Sequence, residues 1–99
     1  MSKYVLAFRG QPGRAQDPDE QQQWAAWFAG LGAAISDMGN QVGTVRTLPS
    51  QDGGDPATAV ITGYVVITAA DADEAASLAS RCPGLARGVS VEVGEVAGA

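Results

Sequence analysis

Apolar positions in this chain recur with two periods, and the switches between them mark out the elements. Tyr4-Val5-Leu6-Ala7-Phe8 is a continuous apolar run of strand length, closed by Arg9-Gly10 and followed by the turn-forming Gln11-Pro12-Gly13. Asp17-Pro18-Asp19-Glu20 then has the form of a helix start. Asp17 caps, Pro18 suits the first helical position, and Glu20 completes a capping box. From there Trp24, Trp27, Phe28, Leu31, Ile35 and Met38 recur at spacings of three and four, which gathers them on one helical stripe, and Gly39-Asn40 ends it.

In the second half the β-branched content rises over Val42 to Leu48, which predicts a second strand, and the breaker-rich stretch from Pro49 to Pro56 connects it to a third. That third strand, about Ile61 to Thr68, is β-branched on both faces apart from Gly63 and Tyr64, as a strand covered on both sides would be. Asp71-Ala72-Asp73-Glu74 repeats the first helix's start. Ala75, Leu78, Ala79 and Cys82 form the apolar face of the second helix, Pro83-Gly84 ends it, and Val89, Val91 and Val93 alternate in a final strand. Residues 1–99 read as a single domain with a frayed tail at 96–99.

The order β-α-β-β-α-β predicts an α+β, ferredoxin-like fold in which one antiparallel sheet carries both helices on one face. The other face would present apolar residues such as Tyr64 or Val65 to water over four strands, more than a monomer usually leaves bare. The expected remedy is a homodimer with the two sheets packed face to face.

Composition points the same way. Only 20 of 99 residues are Val, Leu, Ile or Phe, while 18 are Ala, so the core is thin and a second subunit is a source of further burial. The net charge of −5 is built from six scattered basic residues and eleven acidic ones. Phosphate backbones require clustered cations, so nucleic acid is not an expected partner. No run approaches the about 18–20 apolar residues that span a bilayer. Met1-Ser2-Lys3 leads into a short apolar stretch without the features of a signal peptide, and the expectation is a cytoplasmic protein without a membrane partner. With one cysteine, Cys82, and no histidine, an internal disulfide and the common Cys/His metal and haem sites are ruled out, and no cofactor is expected.

The run Ile61-Thr62-Gly63-Tyr64-Val65-Val66-Ile67, followed by Ala70-Asp71-Ala72-Asp73-Glu74-Ala75, resembles the YCII-related family, including its DGPF-type branch. Arg81-Cys82-Pro83-Gly84-Leu85, Val89-Ser90-Val91-Glu92-Val93 and the Trp24-to-Gly43 stretch continue the resemblance in order. It implies a dimeric α+β barrel. The resemblance also implies a His–Asp dyad in some members, the Asp standing just before a Pro after the second helix. Here that position is Cys82 and the chain has no histidine, so the dyad has no counterpart. The Asp-Gly-Pro-Phe motif is replaced by Asp52-Gly53-Gly54-Asp55-Pro56.

Four residues stand out as candidates for lining a ligand site: Arg9, Trp24, Tyr64 and Cys82. Arg9, ending the first strand, suits an anion or is a solvated strand end. Trp24 belongs to the core stripe or edges a cleft. Tyr64 is expected to send its ring into the interior, where its hydroxyl needs a partner, or to pack at a dimer contact. Tyr64 and Arg9 are expected to border one cavity. Cys82 falls near a helix C-terminus, where the dipole opposes a thiolate, and reads as a small buried thiol more readily than a nucleophile. The acidic clusters Asp17/Asp19/Glu20 and Asp71/Asp73/Glu74 are explained as caps, and Asp52 and Asp55 as turn residues, without metal. Gly10-Gln11-Pro12-Gly13-Arg14 matches neither nucleotide-binding fingerprint.

Three functions are compatible with these features. The first is a non-enzymatic homodimer that binds a small molecule or serves an interaction role, and the loss of every histidine favours it. The second is a cofactor-free enzyme of lyase, isomerase or oxygenase type acting on a small apolar acid or lactone. The third is an RNA-binding module using Phe8 and Tyr64 as stacking rings, which the charge opposes.

Overall fold

The computed structural model describes residues 1–54 and 58–98. Asp55 and Pro56, assigned above to the connection before the third strand, and Ala99 of the tail lie outside the described residues. Four strands form one sheet in the order β2-β3-β1-β4, namely β1 (Ser2–Gly10), β2 (Ile35–Gln41), β3 (Val60–Ala69) and β4 (Ser90–Glu95). Every neighbouring pair is antiparallel. Helices α1 (Pro18–Leu31) and α2 (Ala72–Ala79) complete the α+β, ferredoxin-like βαββαβ arrangement.

The core follows from strand alternation. Tyr4, Leu6 and Phe8 of β1 and Val65, Ile67 and Ala69 of β3 are buried and share a cluster with Trp27 and Leu31 of α1 and Ala75 and Ala79 of α2. Val5, Ala7, Tyr64, Val66 and Thr68 alternate with them and are half-buried on the opposite face. Val65, expected on the uncovered face, is therefore beneath the helices. Trp27 joins the two helices by donating its indole N–H to the carbonyl of Leu78 at 3.1 Å.

Both helices begin at the expected Asp caps, but the returning arm of the capping box differs: Glu20 turns its carboxylate to Arg14 and Trp24, and Glu74 accepts from the N–H of Ala70 and not of Asp71. Asp17 accepts the backbone N–H of Glu20 at 2.8 Å, and Asp71 accepts that of Glu74 at 2.8 Å. The first helix, however, stops at Leu31, seven residues short of Met38. Gly30 and Gly32 flank Leu31, and glycine costs a helix interior about 1 kcal/mol relative to alanine. Gly32 takes φ +50° as the cap and donates its N–H to Phe28, and a 3-10 turn over Gly32–Ala34 then delivers Ile35 into β2. Ile35 still packs on the core, from a strand opposite Ile67, while Met38 is 59% exposed.

The second strand accordingly occupies Ile35–Gln41, and Val42–Leu48 is irregular, although the N–H of Val42 still donates to Thr62 at 2.9 Å. Pairing of β2 with β3 shifts register twice, between Ile35 and Asp37 and between Asp37 and Asn40. At the second shift Gly39 has φ +65°, and a Cβ there would lie 1.8 Å from the Tyr64 carbonyl oxygen. Only glycine fits this bulge.

Candidate functional site

The register shifts in β2 and the polar loop after β1 leave an open cleft of about 1080 Å³ beside the first half of α1. One wall is aromatic. Phe8 projects from β1, and Trp24 and Phe28 project from α1 one turn apart. The Phe8 and Trp24 rings meet edge to face at 5.0 Å, and those of Trp24 and Phe28 stack at 6.0 Å. Trp24 is held from below by Gly84, where a Cβ would approach its Cζ2 to 2.8 Å.

The rest of the lining mixes apolar residues, among them Met38, Val42, Val45 and Ile61, with polar side chains of which Arg14 alone is charged. Gln11 and Gln16 come from the loop after β1, Gln21 from α1, and Asn40 and Gln41 from the end of β2. Thr44, Thr62 and Tyr64 add hydroxyl groups.

Beside the cleft lies a charged network that capping and periodicity did not predict. Glu20 is 1% exposed, and Arg14 donates to both of its carboxylate oxygens, at 2.9 and 2.8 Å. Trp24 donates its indole N–H to Glu20 Oε2 at 3.0 Å, and Arg87 stands 3.8 Å from Oε1. The Arg14 guanidinium, with help from Trp24 and Arg87, outweighs the cost of burial and lowers the Glu20 pKa to about 2. Arg87 also reaches Asp17 at 3.4 Å and Gln23 at 3.4 Å, which links the turn before β4 to the start of α1. A signal for Glu20 was present in the spacing: it stands four residues before Trp24, on the same helical stripe as the core aromatics. For Arg14, in an irregular loop, periodicity carried no signal.

The four residues singled out in the sequence occupy different places. Trp24 and Tyr64 both border the large cleft. Tyr64 lies on the helix-free face of the sheet instead of entering the interior, and its hydroxyl accepts from Asn40 Nδ2 at 3.3 Å. Arg9 lies away from that cleft, beside a smaller depression of about 260 Å³ with Arg46 and Ile61, and it pairs with Glu92. Arg9 and Tyr64 thus border separate cavities, and a register shift between Phe8 and Arg9 sets Arg9 opposite Ile61.

Cys82 lines neither cavity. It is buried at the entrance to the 3-10 turn Pro83–Arg87, three residues beyond α2, and burial pushes its thiol pKa up. Asp52 accepts from Ser50 Oγ and from the N–H of Gly54 at 3.1 Å, as a turn residue does. Among the described residues no three His, Cys, Asp or Glu side chains converge on a point where a metal would sit, and no helix is long and apolar enough to cross a membrane. No family model, no curated protein and no solved structure matches this chain.

Proposed function

We propose that this chain is a YCII-related, cytoplasmic homodimer that binds a small molecule in the cleft beside α1 without transforming it. The observation that carries the reading is the combination of a cleft of about 1080 Å³ with an aromatic wall of Phe8, Trp24 and Phe28 and hydrogen-bonding groups opposite. Concave sites of this size, largely apolar with a few convergent polar groups, are the usual form of a ligand pocket. Binding is favoured over cofactor-free catalysis by the state of the buried groups. Glu20, with a pKa of about 2, is a poor proton acceptor at neutral pH, and the Cys82 thiol is pushed away from its thiolate. Stacking on RNA is disfavoured because Phe8 is buried on the helix side of the sheet.

Dimerisation through the helix-free face is supported by Val5, Ala7, Tyr64 and Val66, which form a half-buried strip across the two central strands. Sedimentation at micromolar concentration is expected to give twice the 10.1 kDa chain mass, and Val66→Lys is expected to return the monomer. A monomeric wild type would remove the dimer from this reading. Binding is tested by titrating a library of small aromatic and heteroaromatic compounds while following tryptophan fluorescence, since Trp24 lies in the cleft wall. Saturable quenching that Trp24→Phe abolishes is the expected result, and a library with no saturable binder would overturn the proposal.

A further inference from the structure

The charge inventory of the cleft defines the class of ligand, an inference that rests on the binding role just proposed. The chain carries eleven acidic residues and six basic ones, yet among the described residues no carboxylate lines the cleft and Arg14 is its one cationic side chain. That guanidinium is already matched. Its Nη1 and Nη2 donate to the two oxygens of Glu20 at 2.9 and 2.8 Å, in the fork-to-fork geometry that saturates a carboxylate. An incoming anion would meet a guanidinium whose charge a buried carboxylate already balances and two of whose five donors that carboxylate holds. A cation would find no carboxylate in the cleft lining to pair with.

Neutral hydrogen-bonding groups are abundant by contrast. Five side-chain amides, Gln11, Gln16, Gln21, Asn40 and Gln41, each offer a donor and an acceptor, and they stand with Thr44 and Thr62 around the aromatic wall. From this we infer that the ligand is an uncharged, flat aromatic molecule bearing carbonyl, hydroxyl or amide groups on its edge, and that Glu20 sets this preference by neutralising Arg14. The ring system lies against Trp24 and Phe28, which Phe8 backs edge to face, and the edge groups exchange hydrogen bonds with the amides.

The test is a matched pair at pH 7, 2-naphthamide and 2-naphthoate, with the neutral tricycle acridone as a larger probe, titrated calorimetrically into the wild-type protein. The amide is expected to bind at least tenfold more tightly than the carboxylate. In Glu20→Gln, which leaves the Arg14 charge unbalanced, that ratio is expected to fall at least fivefold. Naphthoate binding as tightly as naphthamide in the wild type would overturn the neutral-ligand inference and leave small-molecule binding standing. Failure of all three probes to bind at millimolar concentration, together with an empty library screen, would remove both. If Glu20→Gln does not fold, the wild-type pair decides the matter alone.

Discussion

Glu20 and Trp24, one helical turn apart on α1, form a single unit in which the buried carboxylate fixes the indole that walls the cleft, through an N–H bond of 3.0 Å. The unit ties acid stability to the geometry of the site. A carboxyl whose pKa is about 2 in the fold and near 4.5 when released stabilises the fold fully above about pH 5, and that stabilisation drains away as the pH falls from 4.5 toward 2. A difference of this size corresponds to on the order of 3 kcal/mol. The melting temperature of the wild type is therefore expected to fall steeply below pH 4.5, while Glu20→Gln starts lower at pH 7 and follows a flatter profile. Parallel profiles for the two proteins would show that Glu20 is not the group responsible.

The two ends of the Arg14–Glu20 pair differ in exposure, and the consequences of removing them differ accordingly. The Arg14 side chain is 31% exposed and can turn to water when Glu20 loses its charge. Glu20 cannot, so Arg14→Ala leaves a buried carboxylate with the Trp24 N–H and a guanidinium 3.8 Å away. Arg14→Ala is expected to cost about 3–5 kcal/mol, as breaking a buried pair from the solvated side does. Glu20→Gln is expected to cost less, about 2–3 kcal/mol, since the amide keeps an acceptor for Trp24. Urea unfolding of both variants at pH 7 measures the order, and a smaller cost for Arg14→Ala would contradict it.

What the sequence made legible, and what it hid, has a physical pattern. The caps at Asp17 and Asp71, the buried alternation of Tyr4, Leu6 and Phe8 and the order of elements were all readable, because each rests on contacts within one element or on a simple period. The end of α1 was hidden by coincidence. Ile35 falls in step with the helical stripe and still reaches the same core from β2, so periodicity alone does not distinguish the two placements. Glycines at positions 30 and 32 were the deciding signal. Of the cleft, Tyr64 stood out as an aromatic on an otherwise β-branched strand, whereas Trp24 fell on the core stripe, with a cleft edge as its alternative. The amides from three separate segments come together only through tertiary structure, and the Arg14–Glu20 pair, six residues apart, depends on a loop conformation that no period encodes.

Gly39 offers a sharp test of the bulged edge. Its φ of +65° disfavours any side chain, and a Cβ would sit 1.8 Å from the backbone oxygen of Tyr64, an atom that cannot swing aside as a flexible side chain can. Gly39→Ala is expected to destabilise the fold by at least about 2 kcal/mol and to loosen the β2 side of the cleft. At Gly43, four residues on, a Cβ would meet no atom within 4 Å, and Gly43→Ala is expected to stay within about 0.5 kcal/mol. Equal effects in thermal melts would mean that the β2–β3 register differs from the one described.

The two helix caps separate a structural role for the acidic clusters from a metal-binding one. Asp17 and Asp71 have the same geometry, each accepting the N–H three residues on at 2.8 Å, so Asp17→Ala and Asp71→Ala should each cost about 1 kcal/mol through the lost cap. Asp17 makes an additional ion pair with Arg87, at 3.4 Å, but its side chain is 61% exposed and such pairs contribute little. Asp17→Asn, which keeps the capping oxygen and removes the charge, is accordingly expected to fall within about 0.5 kcal/mol of the wild type. If the clusters serve only as caps, millimolar calcium or magnesium leaves the wild-type melting temperature unchanged. A rise in that temperature, lost in Asp71→Ala, would establish a cation site at the start of α2 and displace the capping account.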